Sequence, residues 1–320
     1  MIRSVPRLGV ALFILGMLSS QVGAQSYPTK PLHFIFGFSP GTILDSTARP
    51  VADEMSKRLG QPIVFEFKPG ASGTIAAKYV AGSAPDGYTF FYNTVTTNDP
   101  ALVKNNAVAA ATDLAPVSQF AATQYFLVAR SSLPGSFQEI VEYSKKNPLA
   151  LRNGQQAANI ELYTVLLKAR TGLVSESIPY KSSTDVLAAI LSGDTVLQLN
   201  SIGIFLPHIE KGTIRPLFVA AKTRSPLLPN VPSSAELGIK NYDMAQNHGL
   251  WAPLNTPLAI RQRLSAEVAR AVKVPAVADF IRKSLASEPI GSTPEEQLKT
   301  HLEDIEIIKE AARIAKFEPQ

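Results

Sequence analysis

The chain has 320 residues, with 31 lysines and arginines against 26 aspartates and glutamates, four histidines and no cysteine. The absence of cysteine excludes disulfides, thiolate catalysis and cysteine-ligated zinc. The formal charge of +5 is dispersed rather than gathered into a basic stripe, which argues against a nucleic-acid partner and at most helps to attract an acidic solute.

In chain order, residues 1–24 read as an export signal. Arg3 and Arg7 form the positive end, residues 8–17 the apolar centre and Val22-Gly23-Ala24 the cleavage site. The apolar part is much shorter than the roughly 20 residues of a spanning helix, so a periplasmic protein starting near Gln25 is expected. About 300 residues remain, which at roughly 150 per domain predicts two domains.

The stretch 32–49, L-H-F-I-F-G-F-S-P-G-T-I-L-D-S-T-A-R, is an apolar run that breaks at Gly37, Pro40 and Gly41 and continues as an amphipathic helix. Glycine lets a loop turn its N–H groups toward a guest, and the first N–H groups of the next helix add donors with partial positive charge. An anion, most simply a carboxylate, suits such a place. A second loop of this kind, K-P-G-A-S-G-T at 68–74, follows the strand-like run 62–67 and precedes a small-residue helical run at 75–81. Two such loops can close on one small acid.

The first helix places Ala48, Val51, Ala52, Met55 and Leu59 on one face and ends at Gly60. Pro50 fits without a kink only if that helix starts as late as Thr47. Strand-length apolar runs at 32–38, 63–67, 88–92, 125–129, 197–200 and 217–221 alternate with helical segments, the pattern of an α/β protein. Thr256-Pro257 and Thr293-Pro294-Glu295-Glu296 predict capped helix starts, the second with a capping box. Residues 123–222 carry their own strand and helix signals and read as an inserted second lobe. Residues 25–122 and 223–320 form the first lobe, and two crossing segments make a hinge.

Catalytic motifs are missing from the sequence. His33, His208, His248 and His301 show no helical metal spacing, Gly70-Ala71-Ser72-Gly73 misses the nucleophile elbow, and no Gly-Lys-Ser/Thr follows the glycines. No enzyme, metal or cofactor is expected.

From Tyr27 almost to the C-terminus the chain resembles the substrate-binding proteins of tripartite tricarboxylate transporters, the Bug or TctC-like group. The resemblance is carried, in order, by Y-P-T-K-P-L, F-S-P-G-T-I-L-D-S-T-A-R, L-G-Q-P-I-V-F-E-F-K-P-G-A-S-G, A-P-D-G-Y-T-F, I-P-Y-K-S-S, G-T-I-R-P-L, R-S-P-L-L-P-N-V-P-S-S-A-E-L-G and G-L-W-A-P-L-N-T-P. It implies an α/β, two-lobed periplasmic binding protein of Venus-flytrap, type II-like architecture with a ligand cleft between the lobes. It further implies a small carboxylate-bearing ligand, membrane permease subunits as partners and a monomeric chain. In that family the two glycine loops hold one carboxylate through backbone N–H groups and bridging waters. By this resemblance Phe38, Ser39, Gly41 and Thr42 fall in the first loop, with Thr42 in place of a second glycine, and Ala71, Ser72, Gly73 and Thr74 in the second. Asp45 matches the family aspartate and either faces the ligand or caps the helix, and Thr94 and Thr96 match a ligand-facing turn.

The opposite lobe departs from the pattern. Ala158 and Glu161 stand at the serine and histidine places of the family motif, and Asn200 where an aspartate is frequent. Gln155 or Gln156, with Asn153 and Asn200, can offer neutral amides instead. If Glu161 faces the cleft it repels a second acid group, so a monocarboxylate is expected to bind better than a compact dicarboxylate; Glu161 is otherwise a solvated helix position. Two further readings stay open: a solute sensor of the same fold, and a hydrolase or isomerase with Asp45 or Glu161 as base.

Overall fold

The computed structural model describes residues 27–94 and 108–317; the export signal of residues 1–24 and Thr96 lie outside them. The first apolar run becomes β1 (Leu32–Phe36), followed by α1 (Ile43–Leu59), β2 (Ile63–Phe67), α2 (Thr74–Ala81) and β3 (Thr89–Asn93). β1 pairs in parallel with β2 on one side and β3 on the other, and the helices fill the crossovers that parallel pairing requires. The loops before α1 and α2 therefore both leave the carboxyl ends of adjacent parallel strands, where open α/β sheets bind ligands.

α1 begins at Ile43, earlier than Thr47, so it runs through Pro50. The helix tolerates the missing N–H because Ala48, Val51, Ala52, Met55 and Leu59 are all buried along one face. Gly60, at φ 66°, ends it by donating its N–H to Ser56 O.

The chain continues with α3 (Ala110–Asp113), β4 (Leu114–Arg130), α4 (Phe137–Lys146), β5 (Arg152–Gln155), α5 (Ala158–Thr171) and β6 (Glu176–Pro179). Then come α6 (Ser183–Ser192), β7 (Leu197–Ser201), α7 (Leu206–Glu210) and β8 (Ile214–Val219). The last part holds β9 (Ala245–Pro253), α8 (Leu258–Ala271), α9 (Pro275–Asp279), β10 (Glu288–Pro289) and α10 (Pro294–Ala315). The strands join in the order β2-β1-β3-β9-β4-β7-β5-β6, with β8 and β10 also on β4.

β4 divides the molecule. As far as Gln124 it pairs with β9, and from Tyr125 it pairs with β7. Phe34, Phe36, Met55, Phe120, Leu250 and Leu264 fill the core of the first lobe. Tyr125, Leu127, Phe137, Leu166, Leu199 and Phe218 fill that of the second. The fold is thus a two-lobed α/β architecture.

The structure corrects three details of the sequence reading. Val231, Ile239, Tyr242 and Met244 pack into the second lobe, which therefore reaches well past residue 222. α10 starts on the first lobe, where His301 sits edge-on to Trp251 with centroids 5.2 Å apart, and ends on the second, where Ile305, Ile308 and Ala311 join the core. The lobes are consequently tied by β4, by the chain entering β9 and by α10, one segment more than expected. Finally, Thr256 does not cap α8: Pro257 holds that position and the Thr256 hydroxyl has no partner, whereas the capping box of Thr293 and Glu296 forms.

Candidate ligand-binding site

The two glycine loops touch. A Cβ on Gly37 would stand 2.6 Å from the Gly73 Cα and 3.1 Å from Asn93 Nδ2, an approach only glycine allows. Gly70 (φ 129°), Ala71 (φ 45°) and Gly73 (φ 90°) bend the second loop through one 3-10 turn, in which Gly73 N–H donates to Gly70 O at 2.9 Å. A left-handed alanine costs about 1 kcal/mol, and such strain persists where a loop must present its backbone.

In the first loop, Gly41 (φ 82°) donates its N–H to Asp45 Oδ2 at 2.9 Å, and Asp45 Oδ1 pairs with Arg49 at 2.8 Å. Asp45 thus ties the loop to the first turn of α1. Ser46 N–H already donates to Thr42 O, while the N–H groups of Ile43, Leu44 and Asp45 sit at the positive helix end without intrahelical acceptors. Around the meeting point the Thr42 hydroxyl, the Thr74 hydroxyl and both amide atoms of Asn93 are buried without a hydrogen-bond partner. Buried polar groups are almost always paired, so this cluster marks a place where a guest or water supplies the bonds.

The first turn of α1 is braced against the hinge. Thr47 Oγ1 donates to Ile43 O at 2.7 Å and accepts from His248 Nδ1 at 3.2 Å, which leaves His248 Nε2 to accept from Thr123 Oγ1 at 3.2 Å. Burial pushes this imidazole down to about 3, so it is neutral at physiological pH.

Between the lobes lies a cleft of ≈ 730 Å³. The first lobe contributes Phe38, Gly41, Ile43, Ser46 and Thr94, the hinge strands Tyr125 and Gln246, and the second lobe Gln156, Asn159, Ser183, Asn200 and Ile204. Asn159 Nδ2 donates to the Tyr125 hydroxyl at 3.2 Å, so that hydroxyl keeps its own proton for a guest; burial pushes it up to about 12. Gln198 donates to Gln156 Oε1 at 3.0 Å, and Asn200 Nδ2 donates to Ser183 Oγ at 3.3 Å. No residue of the described wall is charged.

The family of tripartite tricarboxylate transporter receptors matches residues 47–315. The chain belongs to that family. A UPF0065 protein of Bordetella pertussis is 30% identical over 280 residues, 86% of each chain. Among solved structures, R. palustris Rpa4515 with adipate is 30% identical with a TM-score of 0.75, and the alignment covers 92% of this chain and 100% of that one. The periplasmic binding protein BugD is 26% identical with a TM-score of 0.71, over 92% of this chain and 100% of that one. No helix among the described residues is long and apolar enough to cross a membrane.

In this receptor Phe38, Gly41, Thr94 and Asn200 lie on the cleft wall. Thr42, Gly73 and Thr74 belong to the touching loops behind it, and Ser39 and Ala71 are exposed at the loop tips. The Ser72 side chain lies outside what the structure describes. Asp45 turns to Gly41 and Arg49 instead of the cleft. Asn153 points into the second lobe, where its Oδ1 accepts from Ser175 Oγ at 2.8 Å and Ser177 Oγ at 3.3 Å. Gln155 is buried off the wall, and its neighbour Gln156 takes the place on it. Glu161 is exposed on the first turn of α5, about 100° around the helix from the buried Ile160, and neither it nor Asp45 lines the cleft. The sequence reading missed Tyr125, Asn159, Ser183, Ile204 and Gln246. Tyr125 alone had a local signal, standing at the start of a strand-length run.

Proposed function

We propose that this receptor is an exported periplasmic protein that takes one small carboxylate-bearing metabolite between its lobes and presents it to the membrane permease subunits of a tripartite tricarboxylate transporter. The observation that carries the proposal is the Gly37–Gly73 contact with the unpaired Asn93 amide beside it, at the carboxyl ends of β1 and β3 and next to the start of α1. Donors dominate this place and a carboxylate brings acceptors, so the two complement each other without an arginine. Rpa4515, the relative with adipate, supports the same ligand class. The amides and hydroxyls of the second lobe then read the rest of the molecule. In this reading the protein is a receptor, and the ligand is bound and released unchanged.

Mass spectrometry of the solute that co-purifies from the native periplasm, followed by calorimetry with that solute, tests the reading. One small acid bound per chain is the expected result. A co-purified solute without an acidic group, or failure of every carboxylate to bind, overturns it.

A further inference from the structure

Behind the ligand cleft the same hinge strands wall a second cavity. Along β4 and β9 side chains alternate between faces, and Gln124 lies opposite Ala245 as Ala122 lies opposite Asn247. These four therefore share the face turned away from Tyr125 and Gln246. With α10 they enclose a groove of ≈ 1070 Å³, larger than the ≈ 730 Å³ cleft. Met244, Ile290 and Ile307 make part of it apolar.

At its floor Asp304 is 7% exposed, and the donor it accepts from is the neutral Asn247 Nδ2 at 2.6 Å. Of the three cations that line the groove, two pair with carboxylates of the same groove, Lys222 with Asp243 at 3.6 Å and Lys309 with Glu306 at 3.0 Å, and the third, Arg313, lies in the last turn of α10. Asn247, Thr300 and Asp304 line both the groove and, beside it, a chamber of ≈ 20 Å³, room for one water or one ammonium head. Gln297 and His301, each 4% exposed, and Trp251, 1% exposed, complete the chamber. Both amide atoms of Gln297, both ring nitrogens of His301 and Trp251 Nε1 lack a hydrogen-bond partner. An ammonium group is a donor only. The chamber's acceptors are the Asp304 carboxylate, Gln297 Oε1 and one ring nitrogen of His301, whose imidazole burial pushes down to about 4 and so keeps neutral, while Trp251 Nε1, Gln297 Nε2 and the other His301 nitrogen are donors that the ammonium leaves to water.

We propose that this groove is a second ligand site, for a small primary amine whose ammonium head enters the chamber and whose short apolar chain lies along Met244, Ile290 and Ile307. Its walls come from both lobes, with Ala220 and Met244 on one side and Glu288 and Ile290 on the other. An occupant therefore bridges the hinge, and its binding is linked to closure on the acid.

Trp251 is the chain's single tryptophan and lines the chamber, so its emission reports occupancy. Titration of the mature protein with n-pentylamine is expected to give a saturable change in emission, and 1-pentanol none. Asp304→Asn should raise the apparent Kd roughly tenfold or more. Thr300→Lys, which places a tethered ammonium beside the chamber, should abolish the response. The proposal is overturned by an equal response to pentanol, by the absence of saturable binding in both fluorescence and calorimetry (a chamber holding water only), or by wild-type amine affinity in Thr300→Lys (binding elsewhere). Should Asp304→Asn fail to fold, the lysine variant, at a half-buried helix position, still decides.

Discussion

On the cleft face of the β4 and β9 ribbon, Tyr125 and Gln246 look across at a described wall without a charged side chain, whereas on the other face Asn247 meets the buried carboxyl of Asp304. The same two strands make both environments because successive residues point to opposite sides. On the cleft face, backbone dipoles and neutral amides make up the described wall, which carries no charged side chain. On the back, the protein itself carries an ionisable group that burial disfavours in its charged form. The buried ionisable group thus lies on the face turned away from the cleft.

The largest test of this contrast is the pH dependence of stability. Burial pushes Asp304 from 3.8 up to about 7, so the folded chain holds this proton more tightly than the unfolded one. The stabilisation is complete below about pH 4 and is lost as pH rises through about 7, by up to about 4 kcal/mol. Asp304→Asn removes that dependence, and its urea midpoint relative to wild type should climb from about pH 5 to about pH 8. His248 and His301, pushed down to about 3 and about 4, cost stability in both proteins as pH falls below about 6.5 and cancel in the difference. Parallel curves would mean that the back face carries no buried charge.

Next comes Gly37→Ala, which adds one methyl group where the loops touch. The Cβ would lie 2.6 Å from the Gly73 Cα, so the loops must part. Calorimetry with the co-purified acid should show a loss of roughly 100-fold, about 3 kcal/mol, with the melting transition largely kept. Unchanged affinity would remove the loops from the site.

The neutral wall also predicts ligand charge. Hexanoate should stabilise the protein more than adipate in a thermal-shift series, by roughly tenfold in affinity, because no described cation receives a second carboxylate. The reason differs from the one drawn from sequence, since Glu161 lies off the wall. Ile204→Arg should narrow or reverse the preference; stronger binding of adipate by the unaltered protein would break it.

The smallest effect expected is that of Tyr125→Phe. It removes the hydroxyl that accepts from Asn159 at 3.2 Å and costs about 1 kcal/mol of affinity for a ligand with a distal acceptor. A ligand without that acceptor should bind as before.

Residues alone reach the first lobe further than the second. Gly41, Gly70 and Gly73 sit at positive φ in the two loops, and positive φ is a local demand that only a few residue types meet. The apolar face of α1, its end at Gly60 and the capping box of α10 are local in the same way, set within one or two helical turns. On the second lobe Asn200 reaches the cleft while Asn153 turns to Ser175 and Glu161 to solvent. All three are polar residues on regular elements, and which side of a strand or helix looks into the cleft depends on what packs against its other side.

Sequence by itself therefore determined the alternation of strands and helices, both glycine loops, the stop of α1 at Gly60 and the capping box of α10, since each rests on neighbours a few residues apart. Tertiary structure decided the rest. β4 extends back to Leu114 through Pro116, Ser118 and Gln119 because distant partners satisfy its polar groups: Ser118 donates to Ser292 O at 2.7 Å and Gln119 to Asn247 Oδ1 at 2.6 Å. α10 crosses to the second lobe because Ile305, Ile308 and Ala311 find their apolar partners there. The division of one ribbon into an uncharged cleft wall and a groove floored by Asp304 is likewise a matter of what the fold lays on each face, which no local pattern encodes.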